Sequence, residues 1–402
     1  LGKFPQPQKL EEVAENDLQL DIGKIFDKAN TLSKAYSEKW KSDLEVKGVH
    51  LEIGEGSFVE VGKVEVKTLG GVELISSEKI ILATGSSPKH PDTIPFDKEM
   101  IVPLEELTRF RELPEKVLIM DGGAHGCEMA SLIRVLGCKP FLCEKGSRIL
   151  PDQAPEIMDF FESQIRKKKL KLILNKGIKS IFKNGESIDV SLDGGLKFPI
   201  SKILFGGTRT PISASLNIES SGIRKGEFGE ILSDEKMETS LPGVFAIGSL
   251  IRNQRILGKN YEEAKVSVYN CLGKARELNV DRIPFIIHSD PEVGVIGCHL
   301  ENAHHKGFRA IGASSTLEGF NADGSISQNG LLKLTIERES RKLIGAQIVA
   351  PNVSKMLPFV SLAIKKGLTI KDIANFSVGV SDSFLPIVDT ARKILNDLKK
   401  PR

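Results

Sequence analysis

The residues best placed to do chemistry are Asp121, Gly122, Gly123, Ala124, His125 and Gly126, followed by Glu144 18 positions after Gly126. The run nearly spells G-x-G-x-x-G, with Gly123 and Gly126 in the last two glycine places and Asp121 in the first. Such a turn brings backbone N–H groups and a helix N-terminus to an anionic phosphate, while an acid some 20 residues on meets ribose hydroxyls. Gly123 would let the backbone approach a pyrophosphate, and Gly126 would let the following helix pack close to the strand. Gly122 lies between Asp121 and Gly123. Asp121 is an acid where an anion should bind, and so a flaw in the motif. Positioning these residues takes a βαβ unit. The segment 116–148 supplies one, as an apolar run (KVLIM), the turn, a helical pattern and a second apolar run before Glu144.

At 402 residues the chain predicts two or three domains. Its 56 basic and 53 acidic residues leave +3, too little to imply nucleic acid or a membrane surface as a partner. No apolar run reaches membrane-spanning length, and the first residues are not a signal peptide. The chain begins at Leu1, and the reading here is of a processed or truncated product. Five cysteines outside a small secreted framework point to reduced thiols and a cytoplasmic setting.

Residues 1–20 read as an ill-ordered lead-in. Ile22, Phe26, Ala29, Leu32, Tyr36, Trp40 and Leu44 recur at three or four residues and predict a helix ending at Gly48. Alternating runs over 50–67 predict a small antiparallel patch. An apolar strand at 79–82 enters the turn ATGSSP, and a second at 243–247 enters Gly248-Ser249, with a helix expected over 261–277. A helix at 156–169 closes on Arg166-Lys167-Lys168-Lys169, a run read as a last helical turn complementing the dipole. Strands at 171–174, 178–182, 187–192 and 203–205 are expected to complete a doubly wound region. After residue 283 the texture changes to an α+β layout, with helices at 300–306, 354–366 and 370–375 and strands at 330–336 and 343–349.

Cys138 and Cys143 have C-x4-C spacing but fall in one strand, which holds residues five apart at about 16 Å, beyond disulfide reach. They read as small buried hydrophobes, as do Cys127, Cys271 and Cys298. His125 reads as a loop side chain without a partner, and no grouping shows metal-ligand spacing.

Five pieces in order, ATGSSP (83–88), GGAHGCE (122–128), TRTP (208–211), GVFAIGS (243–249) and PEVGVIG (291–297), resemble the pyridine nucleotide-disulfide oxidoreductases, and among them the dihydrolipoamide dehydrogenases. The resemblance implies an α/β fold with two doubly wound nucleotide-binding domains and an α+β dimerisation domain. It places an FAD domain at 1–115, lacking its N-terminal part, and at 208–281, an NAD domain at 116–207 and the dimerisation domain at 282–402. Thr84, Gly85, Ser86, Gly248, Ser249, Leu257 and Gly258 would meet FAD. Gly122, Gly123, Gly126, Glu144 and Arg209 would meet NAD, Glu144 suiting NAD over NADP. Expected partners are a second copy of the chain and a lipoyl-bearing dehydrogenase complex.

The resemblance also marks losses. No glycine turn or redox C-x4-C pair precedes ATGSSP, the flavin aspartate is Ser249, and the GR-x-P glycine is Thr208. The proton-handling His and Glu align with Ser381 and Pro386, so no catalytic residue is assigned. Two functions follow: an FAD- and NAD-linked dithiol oxidoreductase of weak or absent activity, or a non-catalytic relative that keeps the fold and dimer surface.

Overall fold

The structure is a computed structural model that describes residues 21–89, 91, 94, 96–151, 153–207, 209–251, 257–320, 326–377 and 384–398. It divides into two compact units, one holding the chain up to Leu113 with Gly207–Asn279, the other Pro114–Gly206 with Val280–Arg402.

In the first unit, Asp21 caps the helix Ile22–Val46 by accepting the Lys24 N–H at 2.9 Å. Only Ile22 and Phe26 of its apolar stripe are buried, whereas Tyr36 and Trp40 are 64% and 68% exposed. The strands Gly54–Glu60, Lys63–Thr68 and Gly71–Ser76 form an antiparallel patch; the expected run at 50–53 is not a strand, and Gly71–Ser76, which the sequence reading did not foresee, takes the third place. Ile80–Leu82 pairs in parallel with Val244–Ala246, and their side chains join Phe58, Ile218, Ile231 and Leu250 in one core. The helix Leu257–Cys271 follows, starting and ending earlier than the sequence suggested.

The second unit holds a run of parallel strands in the order Lys202–Phe205, Lys116–Met120, Lys139–Cys143, Lys171–Ile173. Val117, Leu118 and Ile119 are all buried, as a parallel strand covered on both faces requires. The helix Ala124–Val135 packs on the strands Lys116–Met120 and Lys139–Cys143, and the helix Pro155–Lys167 lies against the strands Ile326–Glu337 and Leu343–Ala350 of the same unit. Strands 178–182 and 187–192 do not extend this sheet as expected. Ile178–Asn184, Ser187–Leu192 and Lys197–Ile200 form their own antiparallel sheet. The physical cause is alternation: Ile188, Val190 and Leu192 are buried on one face and Asp189 is exposed between them.

The same unit carries a five-stranded antiparallel sheet in the order Phe285–Ile287, Glu292–Gly297, Leu343–Ala350, Ile326–Glu337, Ala310–Phe320. The helices Val353–Lys366, Ile370–Ala374 and Leu385–Asp397 pack on it, and Leu334, Ile348, Leu357, Ile370 and Ile387 are fully buried in their shared core. Among the described residues no helix is long and apolar enough to cross a membrane.

Candidate functional site

The strand Lys116–Met120 runs straight into the turn, and Gly123 caps the helix Ala124–Val135. Gly126 sits where a side chain could not: a Cβ there would lie 1.9 Å from the Asp121 carbonyl oxygen. The glycine therefore sets the closeness of helix to strand, which is the packing role expected of it. Glu144 comes back over the turn and accepts N–H groups from Gly122 at 2.9 Å and Gly146 at 2.7 Å.

Asp121 changes what this turn can hold. Its Oδ1 accepts the Gly123 N–H at 2.8 Å, and its Oδ2 is buried without a hydrogen-bond partner among the described residues. Burial raises the carboxyl above its ordinary range, the Gly123 N–H and His125 draw it partly back, and Glu144 adds to the rise. The N–H that a phosphate would take is thus occupied by an internal acid, and a second anion would meet it at close range. Gly126 gives the close helix–strand packing that a dinucleotide turn requires. Ionised Asp121 does not fit the dinucleotide's pyrophosphate.

The first unit brings its two glycine turns together at the ends of the paired strands. Gly85 and Gly248 both have φ +75°, and a Cβ on Gly85 would lie 3.6 Å from the Ser249 hydroxyl. Their polar groups are largely taken internally. Thr84 Oγ1 donates to the Ile212 carbonyl at 2.6 Å, and the Gly248 N–H donates to Glu263 Oε2 at 2.8 Å. Glu263 in turn pairs with buried Lys259 at 3.4 Å. Leu257 and Gly258 open the helix Leu257–Cys271, with Gly258 exposed. Arg209 donates to the Ser86 hydroxyl at 2.8 Å and carbonyl at 2.5 Å and pairs with Glu105. Its guanidinium is therefore committed to residues of its own unit. Position 249 offers only a hydroxyl beside Gly85, not a carboxylate.

The thiols are quiet. Cys138 and Cys143 are free, and burial pushes each up to about 12, with neighbouring acids adding to the rise. Cys127 is raised well beyond the ordinary thiol range by burial. Pro386 is the second residue of the helix Leu385–Asp397, and its carbonyl accepts the Thr390 hydroxyl at 2.7 Å. Thr208 and Ser381 lie outside the described residues.

Two sequence readings change. His125 is not a partnerless loop residue: it lies in the first helical turn, its Nδ1 3.8 Å from Glu128. The ligand atoms of His50, Glu52 and Glu73 lie within 4.8 Å of one another, a grouping invisible in sequence because Glu73 comes from the strand Gly71–Ser76 while His50 and Glu52 precede the strand Gly54–Glu60. The sequence reading also missed Asp290, just before the PEVGVIG piece. It pairs with Arg134 at 2.9 Å and with Lys168, and its N–H donates to Ser131. No one-dimensional spacing links position 290 to 134 and 168.

Residues 4–270 match the family model described as pyridine nucleotide-disulphide oxidoreductase, and residues 283–378 match that of its dimerisation domain. The chain is 27% identical over 328 residues to the mitochondrial dihydrolipoyl dehydrogenase of Pisum sativum, covering 80% of this chain and 66% of that protein. It is 26% identical over 328 residues to the leghemoglobin reductase of Glycine max, covering 80% and 63%. The chain thus spans just under two thirds of the length of these relatives. In fold it is similar to LpdA from Mycobacterium tuberculosis, with a TM-score of 0.86 at 18% identity over 96% of this chain and 87% of that one. On its domain content, the chain belongs to the pyridine nucleotide-disulphide oxidoreductase family.

Proposed function

We propose that this chain is a dihydrolipoyl dehydrogenase-like member of its family in which the electron relay between a dithiol, FAD and NAD is weak or absent. The observation that carries this reading is the Asp121 carboxylate on the Gly123 N–H. It fills the place a pyrophosphate would take and leaves a buried acid facing any phosphate. Ser249 in place of a carboxylate, Pro386 and the free, buried thiols of Cys138 and Cys143 point the same way. When bound, the flavin and nicotinamide would supply the hydride chemistry. The residues' own part is to shape the turns: Gly122, Gly123, Gly126 and Glu144 toward NAD, and Thr84, Gly85, Ser86, Gly248, Ser249, Leu257 and Gly258 toward FAD, with Arg209 holding Ser86 in place.

In this reading the segment 282–402 joins two copies, and a lipoyl-bearing complex is the partner class that the relatives' names suggest. The test is dithiol-dependent NAD reduction by the purified chain supplied with FAD, together with flavin absorbance after desalting. Turnover well below that of an active dihydrolipoyl dehydrogenase assayed alongside is expected. Turnover equal to that enzyme's would overturn the proposal. A non-catalytic role is the second reading, and the same Asp121 contact favours it. Stoichiometric retained flavin would count against it.

A further inference from the structure

The basic run at the end of the helix Pro155–Lys167 divides in the fold. Lys168 is taken by Asp290, but Arg166 and Lys169 line a cleft of about 770 Å³ that also receives Lys116 and Lys171. The floor of this cleft is apolar. Phe141 and Phe198 stack there with centroids 5.1 Å apart, beside buried Leu170 and Leu172. Lys171 lies over the Phe141 ring, 4.9 Å from its centroid. No acidic residue is among the cleft's described lining.

Complementing the helix dipole accounts for Arg166 and Lys167, which fall in the last helical turn. It does not account for Lys116 and Lys171. Each is the first residue of a parallel strand and lies outside any helical turn. Lys169 has φ +63°, a left-handed conformation that glycine ordinarily supplies at such a helix end. Four cations from three elements thus converge on one apolar floor.

The place matters as well. Lys116 and Lys171 stand at the amino ends of their strands, whereas the turn at Asp121 follows the carboxyl end of Lys116–Met120. In register, however, Lys171 is level with Phe141 and Leu118, so the cleft runs alongside the strands, and none of the residues 121–126 or Glu144 lines it. Its volume lies within the range of about 300–1,000 Å³ common for small-molecule pockets.

We propose that this cleft binds a small amphipathic anion, an acyl or aryl body carrying a carboxylate or phosphate. The apolar body would lie on Phe141, Phe198 and Leu172, and the anionic group would meet the ammonium and guanidinium groups at the rim. An apolar floor with cations at its edge favours such a molecule over a free phosphate, which leaves the floor wet, and over a neutral hydrocarbon, which leaves the cations unmatched.

The test is a fluorescence titration of the full chain with 8-anilinonaphthalene-1-sulfonate, followed by displacement with dodecanoate and with dodecyl phosphate. Dodecanol, inorganic phosphate and NAD serve as controls. Displacement by one or both amphipathic anions is expected, with dodecanol and inorganic phosphate at least about tenfold weaker. The better of the two anions tells a carboxylate source from a phosphate source. The double variant Lys169→Glu, Lys171→Glu changes two exposed side chains and should keep the native circular dichroism spectrum while losing about tenfold or more in dodecanoate affinity. Three results would each overturn the proposal: no displacement by either anion, equal displacement by dodecanol, or unchanged affinity in the double variant. Displacement of the probe by NAD would move the site to the glycine turn and overturn it as well.

Discussion

The Asp121 carboxylate accepts the Gly123 backbone N–H at 2.8 Å, so the turn that gives the family its cofactor signature here holds an anion of its own. Glu144 completes the arrangement by taking the Gly122 N–H from the other side. Two of the turn's donors are satisfied before any ligand arrives, and the ligand would have to displace a charge-assisted hydrogen bond.

Replacing Asp121 with glycine should therefore restore the anion site. The Asp121→Gly variant frees the Gly123 N–H and removes the repulsion, and NAD affinity should rise about tenfold or more. Calorimetric titration of both proteins measures this directly. Equal affinities would show that Asp121 does not obstruct the turn.

The same acid predicts a pH dependence. Its folded carboxyl is raised above the ordinary value of 3.8, chiefly by burial. Its contribution to stability is thus fully present below that value and is lost as pH rises through the folded pKa, where ionisation inside the turn becomes unfavourable. Asp121→Asn should be more stable than the parent at pH 7, with the gap closing toward pH 4, as urea midpoints would show. NAD binding by the parent should strengthen on acidification, and in Asp121→Asn it should stay flat over the same range.

Gly126→Ala should weaken the fold as well as the site. The added Cβ would fall 1.9 Å from the Asp121 carbonyl, so the helix Ala124–Val135 has to shift from its strand. A loss of about 1–3 kcal/mol is expected for such overpacking, read as a lowered melting temperature. A melting temperature equal to the parent's would mean the helix can retreat at no cost.

Native thiol labelling should be slow and ordered. Cys127, Cys138, Cys143 and Cys298 are buried and Cys271 only half so. Iodoacetamide at pH 8 should modify Cys271 first and the others only on unfolding, as mass spectrometry of tryptic peptides would resolve. Early joint loss of Cys138 and Cys143, or a disulfide between them, would contradict the geometry described above.

The sequence by itself determined the βαβ unit, the order of the five motifs and hence the family. Local patterns suffice for these: a continuous apolar run at 117–119, a glycine turn, then a helical period. It did not reveal the strand Ala310–Phe320, whose side chains are mostly half-buried, or the separate sheet over 178–200, because short apolar strands look alike whichever sheet they join. The identity of Asp121 was legible, and so was its misfit. Only the tertiary structure decided that its carboxylate turns inward onto Gly123, that Lys168 leaves the basic run for Asp290, and that Arg166 and Lys169 meet Lys116 and Lys171 over two stacked rings. Those contacts join residues far apart in the chain or depend on burial, and both arise only when strands and helices pack.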